Sequence, residues 1–360
     1  MLHKVILSGG GTGGHIFPAI AIANEIKNRY PNAEILFIGA QGRMEMEKVP
    51  AAGYNIIGLP ILGIQRKFTF SNVIVPYKLL KSIFQAKRII ENFKPQVVIG
   101  VGGYASAAVL YVASNKGIPC LIQEQNSYAG ITNKWLSKKV KTICVAYNSM
   151  ENFFPKDKII ITGNPVRVEI ANTLNINQQE AKAKLGFDIY KPLILSIGGS
   201  LGARTINLSL QNNLAFIKEN NCQLLWQTGK NFEANTQDLM DIKAQIFIQD
   251  MALAYAAADI IISRAGAISI SELTLVGKPC ILVPSPNVSE DHQTKNAMAL
   301  VNANAAILVK DMEAQNTLVE KAIQLIKNED LKKQLSNNIK KLAKPNALID
   351  IVNQIEVLLR

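Results

Sequence analysis

The chain has 360 residues, 48% of them hydrophobic and 18% charged, and carries a net charge of +12. That length suits two domains, and that balance of apolar and charged residues excludes a disordered chain. The charge is uneven, with 19 Lys/Arg against 8 Asp/Glu in residues 1–163 and 20 against 19 in the remainder. A basic excess in one half points to an anionic partner, for which nucleic acid and acidic lipid are equally suited by charge alone.

In chain order, the opening MLHKVILSGGGTGG turns glycine-rich too early for a signal peptide. Val5-Ile6-Leu7 reads as a strand, Gly9 to Gly14 as a loop, and Pro18–Asn28 as a helix. Further strands are expected at Ala33–Ile38, Val97–Ile99, Cys120–Gln123 and Thr142–Ala146. No charge falls between Lys94 and Lys116, a run long enough to cross a bilayer. Pro95, Gly100, Gly102 and Gly103 interrupt it, so it reads as strand, loop and small-residue helix instead.

The theme restarts with a strand at Pro192–Ile197, a glycine loop at Gly198–Ala203 and a helix at Thr205–Phe216. Strands follow near Gln223–Trp226, Ala244–Ile248, Ile260–Ser263 and Cys280–Val283. Two strand–glycine-loop–helix openings imply an α/β protein with two Rossmann-like domains, joined near Gly163-Asn164-Pro165. The expected domains are 1–163 and 164–344, with an apolar helix at Asn346–Leu359 returning to pack on the first. The four cysteines, Cys120, Cys144, Cys222 and Cys280, are too far apart for a C-x-x-C metal or redox pair and suit a reducing cytoplasm.

Gly9, Gly11 and Gly14 satisfy G-x-G-x-x-G, where backbone amides at a helix start can hold phosphate. A dinucleotide site also needs an acid at the end of the second strand; that strand ends Phe37-Ile38-Gly39-Ala40-Gln41, without one. His15 follows the loop and can act as a general base, or simply pack at the helix start. Gly198–Ala203 reads either as a second phosphate cradle or as a hydrolase elbow, with Ser200, Asp259 and His292 in triad order. In Ser263–Glu272, Arg264 can meet phosphate, the Ala267–Ser271 segment offers amides and hydroxyls at a helix start, and Glu272 can accept from both hydroxyls of a ribose. No D-x-D pair occurs, which favours neutralising a leaving diphosphate with protein groups rather than a metal.

These pieces recur together in one family. GGTGGH (Gly10–His15), GGYAS (Gly102–Ser106), EQN (Glu124–Asn126), AGITNKWL (Ala129–Leu136) and GNPVR (Gly163–Arg167) are followed by GGSLGA (Gly198–Ala203), QTGK (Gln227–Lys230), DMALAYAAAD (Asp250–Asp259), SRAGAISISE (Ser263–Glu272) and DHQTKNA (Asp291–Ala297). The chain thus resembles the bacterial peptidoglycan N-acetylglucosaminyltransferases. The resemblance implies the GT-B arrangement, two Rossmann-like domains facing a cleft. It implies inverting transfer of N-acetylglucosamine from UDP-N-acetylglucosamine to undecaprenyl-diphospho-N-acetylmuramoyl-pentapeptide, without cofactor or metal. It places the donor on the second domain and the lipid acceptor mainly on the first.

By the same resemblance, Thr12, Gly13, Gly14 and Asn126 line the donor sugar, while Arg167 and Ser200 lie near its diphosphate or sugar. Ile248 meets the uracil, Ala267, Ile268, Ser269, Ile270, Ser271 and Glu272 hold diphosphate and ribose, and Gln293 reaches the sugar. Gly102, Gly103 and Tyr104 take the acceptor, and His15 and Glu124 are the catalytic candidates. One departure stands out: Gln123 occupies a position where the family usually has histidine, and it cannot titrate near neutral pH. The alternatives are a transferase of this fold with another lipid or natural-product acceptor, and a non-catalytic nucleotide-sugar-binding protein.

The expected setting is peripheral, on the cytoplasmic side of the cell membrane, with cell-wall assembly proteins as possible partners and no nucleic acid. Two apolar stripes, Leu79/Ile83/Ala86/Ile90 and Val73/Tyr77/Leu80/Phe84, share Val73–Ile90 with Lys78, Lys81, Lys87 and Arg88. One stripe serves the domain core; the other, with the basic residues and the Ile64–Phe70 loop, suits an anionic lipid surface.

Overall fold

The computed structural model describes residues 2–61, 71–199, 201–236 and 239–360. The chain divides into two compact units, Met1–Val166 with Asn346–Arg360, and Arg167–Pro345. The first is built on β1 (Lys4–Ser8), β2 (Glu34–Ala40), β3 (Asn55–Leu59), β4 (Val97–Gly100), β5 (Cys120–Glu124), β6 (Thr142–Val145) and β7 (Ile159–Ile161). Their order is β3-β2-β1-β4-β5-β6-β7, and every pairing is parallel. Helices cover both faces, so central strands such as Val5-Ile6-Leu7 and Val97-Val98-Ile99 are apolar on both sides and fully buried.

The second unit repeats the plan with β8 (Leu193–Ile197), β9 (Gln223–Gln227), β10 (Ile242–Gln245), β11 (Ile260–Ser263), β12 (Cys280–Leu282) and β13 (Ile307–Leu308). Its order, β10-β9-β8-β11-β12-β13, is also parallel throughout. In each sheet the strand order reverses once, between β1 and β4 and between β8 and β11. Ligands of such sheets bind outside the carboxyl ends of the strands at that reversal.

Three strands escape the periodicity reading. β3 is short and only half-buried, β7 is an edge strand, and β13 has two residues. β10 begins two residues earlier than expected. Ile242 points into the core, whereas Ile246 and Phe247 lie exposed past the strand's end. The uncharged 94–116 run is β4, a Gly102-Gly103 turn and a helix at Tyr104–Asn115. Among the described residues no helix is long and apolar enough to cross a membrane.

The helix Ala347–Val357 returns to the first unit. Its Ile351, Val352 and Ile355 join the core formed with Ile22 and Ile26. Arg29 fastens it by donating to Glu356 at 3.0 Å and Asn353 at 2.7 Å. All four cysteines are buried free thiols. Burial pushes Cys120, Cys144 and Cys280 up to about 12, which keeps them inert.

Candidate functional site

In the first unit, the loops leaving β1 and β4 meet at the reversal point. Gly102 and Gly103 adopt φ of +99° and +88°, a backbone that side chains rarely follow. Their lack of side chains also permits contact: a Cβ on Gly103 would stand 2.6 Å from the Gly10 carbonyl oxygen, and one on Gly102 2.9 Å from His15 Nε2. The imidazole therefore packs against the turn that precedes Tyr104, with Nε2 and Cδ2 nearest. His15 Nδ1 sits 3.1 Å from the Gly10 carbonyl oxygen and 3.5 Å from Thr12 Oγ1. A carbonyl only accepts, so Nδ1 donates to it, which in the neutral ring leaves the lone pair on Nε2. Thr12, the residue before the helix Gly13–Arg29, is exposed, as is Gly14, and Gly13 is half-buried. The two loops thus meet where Gly10 approaches Gly103 and His15 approaches the buried Gly102, with Thr12, Gly13 and Gly14 next to His15 in the chain and the half-exposed Tyr104 next to Gly103.

Sequence reading missed Glu45. It follows β2 by five residues, on the helix Glu45–Ala51, and is 1% exposed. Its carboxylate accepts from Gly11 N–H and Ala40 N–H, both at 2.9 Å. The acid that a dinucleotide fold would offer to a ribose here closes back on the glycine loop. That uses an amide a phosphate would need, a second reason against the dinucleotide reading. The only sequence signal was an acid shortly beyond the strand end.

The end of β5 holds Gln123, Glu124 and Gln125, all buried. Glu124 accepts four N–H groups: Asn126 N at 3.0 Å and Asn126 Nδ2 at 3.4 Å on one oxygen, Gly130 N at 3.0 Å and Asn133 Nδ2 at 2.8 Å on the other. A carboxylate so engaged organises the Asn126–Asn133 loop and has little capacity left to take a proton. Gln123 donates to Asn164 Oδ1 at 2.9 Å and accepts from Gln125. Asn164 in turn donates to the Gln125 carbonyl at 3.0 Å. Position 123 is a closed amide link here, with no surface for proton exchange.

In the second unit the loops leaving β8 and β11 face the corresponding reversal. Ser200 lies outside the described residues. Around it, Gln227 bridges two expected donor segments, donating to the Gly199 carbonyl at 3.2 Å and accepting from Ile248 N–H at 3.1 Å. Ile248 is buried, its N–H committed to Gln227, while its neighbour Phe247 exposes an aromatic face that sequence reading did not single out. Gln293, expected at the sugar, accepts from Ser285 N–H at 2.8 Å through its carbonyl end.

The helix Ala267–Val276 begins at Gly266 and carries Ala267, Ile268, Ser269, Ile270, Ser271 and Glu272 in its first turns. Ile268, Ser269 and Ser271 are half-buried and Ala267 and Ile270 are buried. Ser271 donates to its own helix at the Ala267 carbonyl, 3.1 Å away. Glu272, 7% exposed, receives the exposed Arg167 on Oε1 at 3.2 Å and the buried Tyr255 hydroxyl on Oε2 at 3.0 Å. Burial raises the Glu272 carboxyl above the ordinary carboxylate value, and Arg167 and Tyr255 oppose the rise. Arg264, expected at phosphate, is turned to the scaffold: its Nη1 donates to the carbonyls of Val283 and Pro284 and pairs with Asp311.

The hydrolase reading fails on topology. Asp259 stands at the amino end of β11, where its carboxylate accepts Leu193 N–H at 2.7 Å and pairs with Lys182 at 2.8 Å. The loop that follows Ile197 leaves the opposite end of the neighbouring β8, about 13 Å away at 3.3 Å per residue.

Comparison with known proteins agrees with this architecture. The glycosyltransferase family 28 N-terminal domain matches residues 5–145, and the family 28 C-terminal domain matches residues 193–354. The chain is 58% identical over 355 residues to the UDP-N-acetylglucosamine--N-acetylmuramyl-(pentapeptide) pyrophosphoryl-undecaprenol N-acetylglucosamine transferase of Cytophaga hutchinsonii, covering 98% of this chain and 96% of that one. It is 57% identical over 347 residues to the protein of the same name from Phocaeicola vulgatus, covering 94% and 92%. The crystal structure of Acinetobacter baumannii MurG superposes with a TM-score of 0.77 at 30% identity, covering 98% and 99%. This chain belongs to glycosyltransferase family 28.

Proposed function

We propose that this chain is an inverting hexosaminyltransferase that moves N-acetylglucosamine from UDP-N-acetylglucosamine to the 4-hydroxyl of undecaprenyl-diphospho-N-acetylmuramoyl-pentapeptide. The observation that carries the reading is the 58% identity, over nearly the whole of both chains, to a relative named for that reaction. In this reading His15 Nε2 takes the acceptor proton as the hydroxyl attacks the anomeric carbon. The departing diphosphate is met by Arg167 and by the N-terminus of Ala267–Val276, without metal. Glu272 holds the ribose, Phe247 and Ile248 the uracil. Glu124 acts by shaping the loop that carries Asn126, and Gly102, Gly103 and Tyr104 contact the acceptor.

The protein works at the cytoplasmic face of the membrane, bound peripherally, where cell-wall assembly proteins are natural partners. The helix Ser71–Phe93 supports this. Its Ala86 and Ile90 are buried, while Tyr77, Leu80 and Phe84 are 66%, 57% and 67% exposed beside exposed Lys81, Lys87 and Arg88. Lys78 is half-buried on the same helix, and the Val73 side chain and the Ile64–Phe70 loop lie outside the described residues. A turnover assay with donor and lipid acceptor tests the function. Transfer to the muramoyl sugar is expected. Donor binding without transfer, or transfer only to another acceptor, would refute it.

A further inference from the structure

Tyr255 lies on the helix Met251–Ala257 and is 1% exposed. Its hydroxyl donates to one partner, Glu272 Oε2, at 3.0 Å. The helix that carries it is fixed at its start, where the Asp250 carboxylate accepts Leu253 N–H at 2.8 Å. The other donor to Glu272, Arg167, is by contrast 47% exposed along its side chain. A carboxylate has about four acceptor positions. Tyr255 takes one on Oε2 and Arg167 one on Oε1, which leaves one on each oxygen. That is the arrangement two vicinal hydroxyls require. The rigid donor, not the exposed one, sets the rotation of the carboxylate about its terminal bond, a torsion that is intrinsically broad.

We propose that Tyr255 is a positioning residue that orients the Glu272 carboxylate so that both oxygens meet the 2′- and 3′-hydroxyls of the donor's ribose. The proposal rests on the reading of Glu272 as the ribose acceptor. Burial holds the Tyr255 phenol well above its ordinary value, so it remains a proton donor throughout the working range. Phenylalanine fills the same volume and removes only that donor.

The test is a double-mutant cycle of Tyr255→Phe, Glu272→Ala and the pair, read as donor KM with a soluble short-chain acceptor and as the ratio of Kd for UDP and 2′-deoxy-UDP. The ratio does not depend on the fraction of protein that is folded. Glu272→Ala should raise donor KM about tenfold or more, as for loss of hydrogen bonds to a charged group. Tyr255→Phe should raise it about fivefold with kcat nearly unchanged, shrink the UDP preference over 2′-deoxy-UDP, and add nothing in the Glu272→Ala background. Tyr255→Phe overturns the proposal if it leaves the ratio untouched while Glu272→Ala abolishes it, or if its effect adds fully to that of Glu272→Ala. An unaltered ratio in Glu272→Ala would instead remove the ribose reading itself, and this proposal with it.

Discussion

At the first glycine loop, removing the imidazole of His15 takes away a titratable group whose Nε2 lies against the Gly102–Gly103 turn. His15→Ala should therefore lower kcat by ~10²-fold or more while donor KM changes little. Steady-state kinetics with both substrates varied would check it, and near-wild-type turnover would place the base elsewhere. Glu272 makes a prediction in pH. Burial raises its carboxyl, with Arg167 and the Tyr255 hydroxyl opposing. A raised folded-state pKa means that its contribution to stability is greatest below the unfolded carboxyl value of about 4.3 and is lost as pH rises through the folded value. Ribose binding needs the ionised form, so acidification should raise donor KM through this group without loss of stability from it. Wild type should show this rise on acidification, starting above the ordinary carboxylate range, and Glu272→Gln should lack it. A parallel rise in both would assign the effect to another residue. At this scale the sequence singled out candidate residues, but not which of them are already hydrogen-bonded within the scaffold. Glu124, Arg264 and the Ile248 N–H prove committed to the scaffold, because hydrogen-bond partners distant in sequence leave no local trace.

Among the elements, the helix Ser71–Phe93 shows what periodicity can and cannot decide. Its two apolar stripes were visible in the sequence, but which one faces the core was not. Packing buries Ala86 and Ile90 and leaves Tyr77, Leu80 and Phe84 outside. Each basic residue near an anionic surface is worth about 1 kcal/mol. Reversing Lys78, Lys81 and Arg88 to Glu should then weaken binding to anionic vesicles by roughly a hundredfold or more. Co-sedimentation should show the loss, and activity should fall on the natural lipid but persist on a short-chain soluble analogue. Equal vesicle binding by both proteins, or binding indifferent to salt, would contradict the docking role. The strands tell a similar story. Long buried runs such as β1, β4 and β11 are evident from composition. β3, β7 and β13 are too short or too exposed to announce themselves, and Ile246–Phe247 read as strand because an apolar loop resembles one.

For the molecule as a whole, the doubled architecture was legible because each sheet opens with its own strand, glycine loop and helix. Both sheets share the order 3-2-1-4-5-6 in their own strands, so each has one reversal point, and the glycine loops stand there. What one-dimensional pattern could not supply is the wiring beneath those loops: Glu45 under the first, Gln227 beside the second, Tyr255 behind Glu272. The absence of D-x-D, with Arg167 and the Ala267–Val276 N-terminus in the second unit, is the ground for the proposal that the protein's own groups neutralise the leaving diphosphate. The most direct measurement is turnover of UDP-N-acetylglucosamine and the undecaprenyl-linked muramoyl-pentapeptide after thorough EDTA treatment, with the new linkage assigned by NMR. A β-linked N-acetylglucosamine on the muramoyl 4-oxygen is expected, formed at most of the untreated rate. An α-linked product, no lipid-linked product, or activity abolished by EDTA and restored by magnesium would contradict it.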